Sequence, residues 1–167
     1  MTLTKKTVKV GMADMGYCLA PNSIGSSGLG SCVAIVIYPA NGAAAALAHV
    51  MLPDASIRRN DDFNRAKYAD TAVPLLLETM QRLGPFRNAT LRAKIAGGAN
   101  MFQRLSTVDP MMKIGERNTE VAREALKQAN IPIMADVTGG SEGRSVVFSL
   151  KDQSLSVRTI HSGTKIY

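Results

Sequence analysis

The chain has no tryptophan, two cysteines, two histidines and only 5% aromatic residues in 167. Two cysteines are too few for a disulfide framework, and two histidines without metal-ligand spacing do not complete a zinc cluster. No aromatic pattern runs through the basic residues, so a chain built to stack nucleic-acid bases is not expected. No stretch is long and apolar enough to span a bilayer, and the opening Met1-Thr-Leu-Thr-Lys-Lys6 lacks the apolar run of a signal peptide. The expectation is a cytoplasmic protein without membrane insertion. Internal repeats and low-complexity tracts are absent as well.

What is present is ordinary for a globular chain: 46% hydrophobic and 20% charged residues. A length of 167 residues fits one domain, residues 1–167, large enough to stabilise its own core. The formal net charge is +7, with a local concentration at Arg58, Arg59, Arg65 and Lys67. Such a balance favours an acidic partner, and an acidic protein surface serves at least as well as nucleic acid; a merely solvated positive face is the plainer alternative.

Thr7–Met12 reads as a short strand. Pro21–Ser31, rich in Gly and Ser, reads as a loop with too little apolar content to be an element. Cys32–Tyr38 and Ala44–Leu52 are apolar on both alternating faces, as buried strands are, and Asn41-Gly42 between them is a preferred hairpin turn. The polar stretch Asp54–Ala66 reads as an exposed, mobile loop. Val73, Leu76, Leu77, Met80 and Leu83 recur at helical spacing over 67–83, before Gly84-Pro85. Leu91–Ala96 is a strand, and residues 116–129 form a second helix that buries Val121, Ala122, Ala125 and Ala129. Pro132–Thr138, Arg144–Leu150 and Ser154–Thr159 are further strands. Hairpins mixed with two helices imply a layered α/β sheet fold.

The sharpest local feature is Ser26-Ser-Gly-Leu-Gly-Ser-Cys32, a flexible turn that delivers a cysteine to the start of a buried strand. Gly28 and Gly30 permit close approach, so backbone N–H groups around Gly28, Gly30 and Ser31 can converge on a developing oxyanion. No helix N-terminus follows to lower the thiol pKa, so reactivity requires an adjacent base. A hairpin centred on Asn41-Gly42 places Ala34 opposite His49 and Cys32 opposite Met51, which sets His49 diagonal to Cys32 on one face. A slip of one residue would send His49 to the other face. The competing reading is a core histidine satisfied by a backbone carbonyl. Cys18 reads as structural and His161 as solvent-facing.

Several motifs, in order along nearly the whole chain, carry a resemblance. Gly28-Leu-Gly-Ser-Cys-Val-Ala34, Ala48-His-Val-Met-Leu-Pro53, Lys67-Tyr-Ala-Asp-Thr-Ala72, Ala93-Lys-Ile-Ala-Gly-Gly-Ala99, Ile114-Gly-Glu-Arg-Asn118 and Thr138-Gly-Gly140 with Gly143-Arg-Ser145 together resemble the chemoreceptor glutamine deamidase family, CheD. The resemblance implies a three-layer α/β fold similar to the catalytic domain of cytotoxic necrotizing factor toxins. It also implies deamidation of glutamines on methyl-accepting chemotaxis receptors, with Cys32 and His49 as catalytic pair and no metal or cofactor. Ser26 stands where the family usually has a third catalytic residue, a Thr six positions before the Cys. A serine hydroxyl makes the same hydrogen bond with a less constrained rotamer. The family is further implied to bind the chemotaxis phosphatase CheC, so a non-catalytic regulatory partner is the alternative. Ester hydrolysis on methylated receptor glutamates would use the same thioester route.

Overall fold

The computed structural model describes residues 4–58, 63–86, 90–101 and 113–167. In chain order these form β1 (Thr7–Lys9), β2 (Met15–Leu19), β3 (Ser23–Leu29), β4 (Val33–Pro39), β5 (Ala44–Val50), α1 (Ala69–Leu83), β6 (Leu91–Gly97), α2 (Ile114–Gln128), β7 (Ile133–Thr138), β8 (Arg144–Ser149), β9 (Ser154–Thr159) and β10 (Gly163–Ile166). A short 3₁₀ turn spans Ala55–Ile57. The strands build two sheets, ordered β2-β5-β4-β6-β7 and β1-β3-β8-β9-β10. The result is a mixed α/β fold of two sheets and two helices, in layers.

The apolar runs explain the layering. In β4, Val33, Ile35 and Ile37 face one core, which they share with Ala72, Val73, Leu76 and Met80 of α1 and Ala122 and Leu126 of α2. Ala34, Val36 and Tyr38 face the other core, between the sheets, with Ile24, Leu29, Val146, Phe148 and Leu155. Tyr38 and Phe148 meet there with ring centroids 4.6 Å apart. A strand covered on both sides has to be apolar at every position. The alanine run of β5 would favour a helix by propensity alone; burial on both faces overrides it, and the small side chains let both neighbouring layers approach.

The Asn41-Gly42 hairpin has the expected register, with Val33 opposite Val50 and Ala34 opposite His49. Gly42 takes the positive φ of 69° that the turn requires. Both helices lie where the periodicity puts them. On α2 the buried stripe is Asn118, Thr119, Ala122 and Leu126, rotated from the expected one so that it includes two polar residues.

Three strands depart from the sequence reading. The expected loop over Pro21–Ser31 contains β3, because one inward row of Ile24, Ser26 and Leu29 is enough to seat a strand whose other residues are Gly and Ser. Neither β2 nor β10 is apparent from periodicity. Both are sheet edges, and β10 is exposed along its whole length, so no alternation marks it. His161 lies in the exposed turn before it, as expected.

The stretch expected as one mobile loop, Asp54–Ala66, divides. Residues 59–62, with Arg59, lie outside the described residues. Asp54 caps the 3₁₀ turn by accepting from Ser56 N–H at 3.0 Å. Arg58 lies over the Phe63 ring, 4.6 Å from its centroid. Arg65 makes two 2.8 Å bonds to Glu78 of α1, and Ala66 is buried. The basic cluster is therefore partly neutralised within the chain.

Candidate active site

Ser26 and His49 are hydrogen-bonded across the inter-sheet core, and Cys32 lies on the same core. Ile24 and Ser26 occupy the inward row of β3, and a one-residue bulge between Ser26 and Leu29 then bends the strand out of register with β8. Gly28 takes φ +71° within that bulge, a conformation a side chain would resist. The chain emerges at Cys32, one residue before β4. His49, near the end of β5, faces Ala34 and so shares a sheet face with Cys32 on the adjacent strand. Cys32 is 8% exposed and His49 is 1% exposed, so both sit in a nearly dry setting.

Ser26 reaches His49 across the two sheets. Its Oγ lies 2.7 Å from Nδ1 and donates its hydrogen to Val10 O at 2.6 Å. A carbonyl only accepts, so with the Ser26 hydrogen placed there the Ser26 oxygen receives Nδ1–H. This network assigns the imidazole proton to Nδ1 and leaves Nε2 with a lone pair. Nε2 is buried and has no hydrogen-bond partner among the described residues. A nitrogen left in that state could accept a proton from a group on its own sheet face, the face that Cys32 shares.

Burial pushes the Cys32 thiol up, and its own backbone N–H draws it partly back. Burial also lowers the His49 imidazole. Both shifts favour the uncharged pair, so the resting site holds a thiol and a neutral imidazole in place of a preformed ion pair. Cys18, buried on β2, is raised to about 11 by desolvation and is far from reactive.

The backbone around Cys32 is held by neighbouring segments. Ala99 N–H donates to Gly30 O at 2.9 Å and Gly98 N–H to Cys32 O at 2.8 Å. Asn118 Nδ2 donates to Ser31 O and to Met51 O, each at 3.0 Å. Gly97 passes so close that a Cβ there would sit 2.2 Å from Cys32 O. Of the amides expected to face an oxyanion, that of Gly30 donates to Gly28 O at 3.2 Å, which spends it inside the turn. Asn118 was not singled out from the sequence. The available signal was its spacing, since residues 118, 122 and 126 form one stripe and place a carboxamide in an otherwise apolar row.

Among the described residues, no group of three or more His, Cys, Asp or Glu side chains could hold a metal ion, and no helix is long and apolar enough to cross a membrane.

Comparison with known proteins matches residues 51–159 to a family model described as CheD chemotactic sensory transduction; the match begins two residues after His49. The pairwise matches extend over the site as well. A Halalkalibacterium halodurans protein named chemoreceptor glutamine deamidase CheD is 48% identical over 95% of this chain and 96% of its own. The Bacillus subtilis protein of the same name is 46% identical over 95% and 94%. One from Clostridium novyi, named probable chemoreceptor glutamine deamidase CheD, is 39% identical over 98% and 99%. A solved Neisseria meningitidis structure of the family described as DUF152 aligns with TM-score 0.47 and 9% identity, over 82% of this chain and 65% of that one. Matched by the family model over most of its length and by these relatives over nearly all of it, the chain belongs to the CheD family.

Proposed function

We propose that this chain is a cytoplasmic amidohydrolase of a single domain that converts selected glutamine side chains of methyl-accepting chemotaxis receptors to glutamate. The observation that carries the mechanism is the Ser26–His49 hydrogen bond of 2.7 Å, made from the opposite sheet, which leaves Nε2 unpaired on the face of Cys32. The names of the relatives supply the substrate class.

In the first half-reaction Nε2 takes the Cys32 proton as Sγ attacks the glutamine carboxamide carbon, forming a C–S bond and an oxyanion. Because burial disfavours a free thiolate, proton transfer and attack are coupled. Backbone N–H groups of the Gly28–Cys32 turn stabilise the oxyanion, the Cys32 amide among them. The Nε2 proton passes to the leaving nitrogen, the C–N bond breaks and ammonia departs. In the second half-reaction Nε2 deprotonates water, which attacks the thioester, and collapse returns the thiol and a glutamate carboxyl. Ser26 orients the ring throughout and shares the imidazolium charge. This chemistry requires no metal or cofactor.

The same reading extends to kinship with the catalytic domain of cytotoxic necrotizing factor toxins, which superposition on such a domain tests. Receptor cytoplasmic helices are the partners, with the phosphatase CheC as a further one through the family resemblance. The experiment is mass spectrometry of a receptor cytoplasmic fragment incubated with the protein. Each modified glutamine should gain about one dalton as its amide becomes an acid. Cys32→Ala should abolish the gain and Cys18→Ala should keep it. A chain that binds CheC but leaves every receptor glutamine intact would turn the reading to the regulatory alternative.

A further inference from the structure

We propose that Asn118 is a positioning residue of this site, whose carboxamide fixes the peptide between Ser31 and Cys32 so that the Cys32 N–H faces the oxyanion. This inference rests on the reading of Cys32 and His49 given above.

In a trans peptide the carbonyl of one residue and the N–H of the next point in opposite directions. Asn118 Nδ2 holds Ser31 O at 3.0 Å and so draws that carbonyl toward α2. The Cys32 N–H is then directed away from α2, on the residue that bears Sγ. A donor beside the attacking sulfur is where the carboxamide oxygen arrives as the C–S bond forms.

The second bond of Asn118 goes to Met51 O, two residues beyond His49. One amide thus clips the segment preceding the nucleophile to the segment following the base. Its anchorage is firm, because Ala122 and Leu126, on the same stripe of α2, are fully buried in the helix-side core.

Stability accounts for the two carbonyls that Asn118 satisfies, but not for the acceptor it leaves over. Asn118 is 0% exposed, yet its Oδ1 has no hydrogen-bond partner among the described residues. An orphaned buried acceptor is a cost that an apolar side chain of the same size would not incur. What asparagine supplies is two donors aimed at two carbonyls of the catalytic segments.

The test uses the full chain with Asn118→Leu, which removes both donors, and Asn118→Asp, which sets a carboxylate against the two carbonyls. Two rates are compared: deamidation of a receptor cytoplasmic fragment, resolved into kcat and KM, and alkylation of Cys32 by iodoacetamide in a Cys18→Ala background. Alkylation displaces iodide and develops no oxyanion, so it reports the Cys32–His49 pair alone. For Asn118→Leu, kcat should fall about 10- to 100-fold, below the loss seen when an oxyanion donor is deleted outright, with KM and alkylation changed less than about threefold. Asn118→Asp should fall at least as far. Unchanged kcat in folded Asn118→Leu overturns the proposal, as does a parallel fall in kcat and alkylation, which would mean that the thiol itself had been disturbed. If Asn118→Leu does not fold, Asn118→Ala carries the test under the same criteria. Wild-type protein without deamidase activity, or an active Cys32→Ala, would sink the underlying reading. Active wild type, inactive Cys32→Ala and undiminished Asn118→Leu would sink only this inference.

Discussion

Replacing Ser26 with alanine deletes one oxygen and strips two buried groups of a partner. Val10 O loses a bond of 2.6 Å and His49 Nδ1 one of 2.7 Å, at a residue only 5% exposed. Leaving a buried polar group unsatisfied costs about 1–3 kcal/mol, so the pair sums to roughly 2–6 kcal/mol. For a chain of this size that lowers Tm by roughly 4–24 °C, readable by calorimetry or circular dichroism. The kinetic effect has a separate origin. Without the oxygen that accepts Nδ1–H, the imidazole loses its preferred tautomer and its orientation toward Cys32. Deamidation, followed by mass spectrometry, should fall about 10- to 100-fold, short of the near-total loss in Cys32→Ala, because an orienting group is the least costly member of such a unit. Ser26→Thr keeps the oxygen and restricts χ1, so its rate should equal or exceed that of the native chain. A fully active Ser26→Ala would show that other contacts hold the ring, and the tautomer argument would fail with it.

Two further outcomes follow from the site. Burial holds the His49 pKa below 6.5, so the folded chain binds fewer protons there than the unfolded chain as pH falls below that value; stability should be present above about pH 6.5 and lost progressively through the folded pKa, and His49→Asn should remove that part of the pH dependence. The acid limb of kcat/KM should lie below 6.5 for the same reason, and a limb above it would contradict a buried neutral base. Gly97→Ala combines φ +112° with a Cβ placed 2.2 Å from Cys32 O, and should cost roughly 2–5 kcal/mol in chemical denaturation and displace the nucleophile. Gly139→Ala, at φ +88° with nothing within 4 Å of its Cβ, should cost only about 1 kcal/mol; equal costs would refute the steric argument.

How far the sequence carries depends on whether a feature is local. The β4–β5 register could be read because one turn dipeptide and two apolar runs determine it, and from that register the shared face of Cys32 and His49 follows. Ser26 was named through family resemblance, since nothing local says that a serine in a Gly-rich stretch will face a histidine in another sheet. β3 was missed for a related reason: its stability comes from pairing with β1 and β8, both distant in sequence. Asn118 escaped because its partners, Ser31 and Met51, become neighbours only after α2 packs on the sheet. Arg65 looked like free positive charge until the fold brought Glu78 against it.

Ser26 arrives from one sheet and His49 from the other, and only the closed sandwich joins them. Hydrolytic competence is therefore a property of the layered whole. Under the proposed mechanism, a chain with its sheets apart would leave the histidine free to choose either tautomer and Cys32 without an oriented base. Glutamine hydrolysis would then wait on the closing of the two sheets.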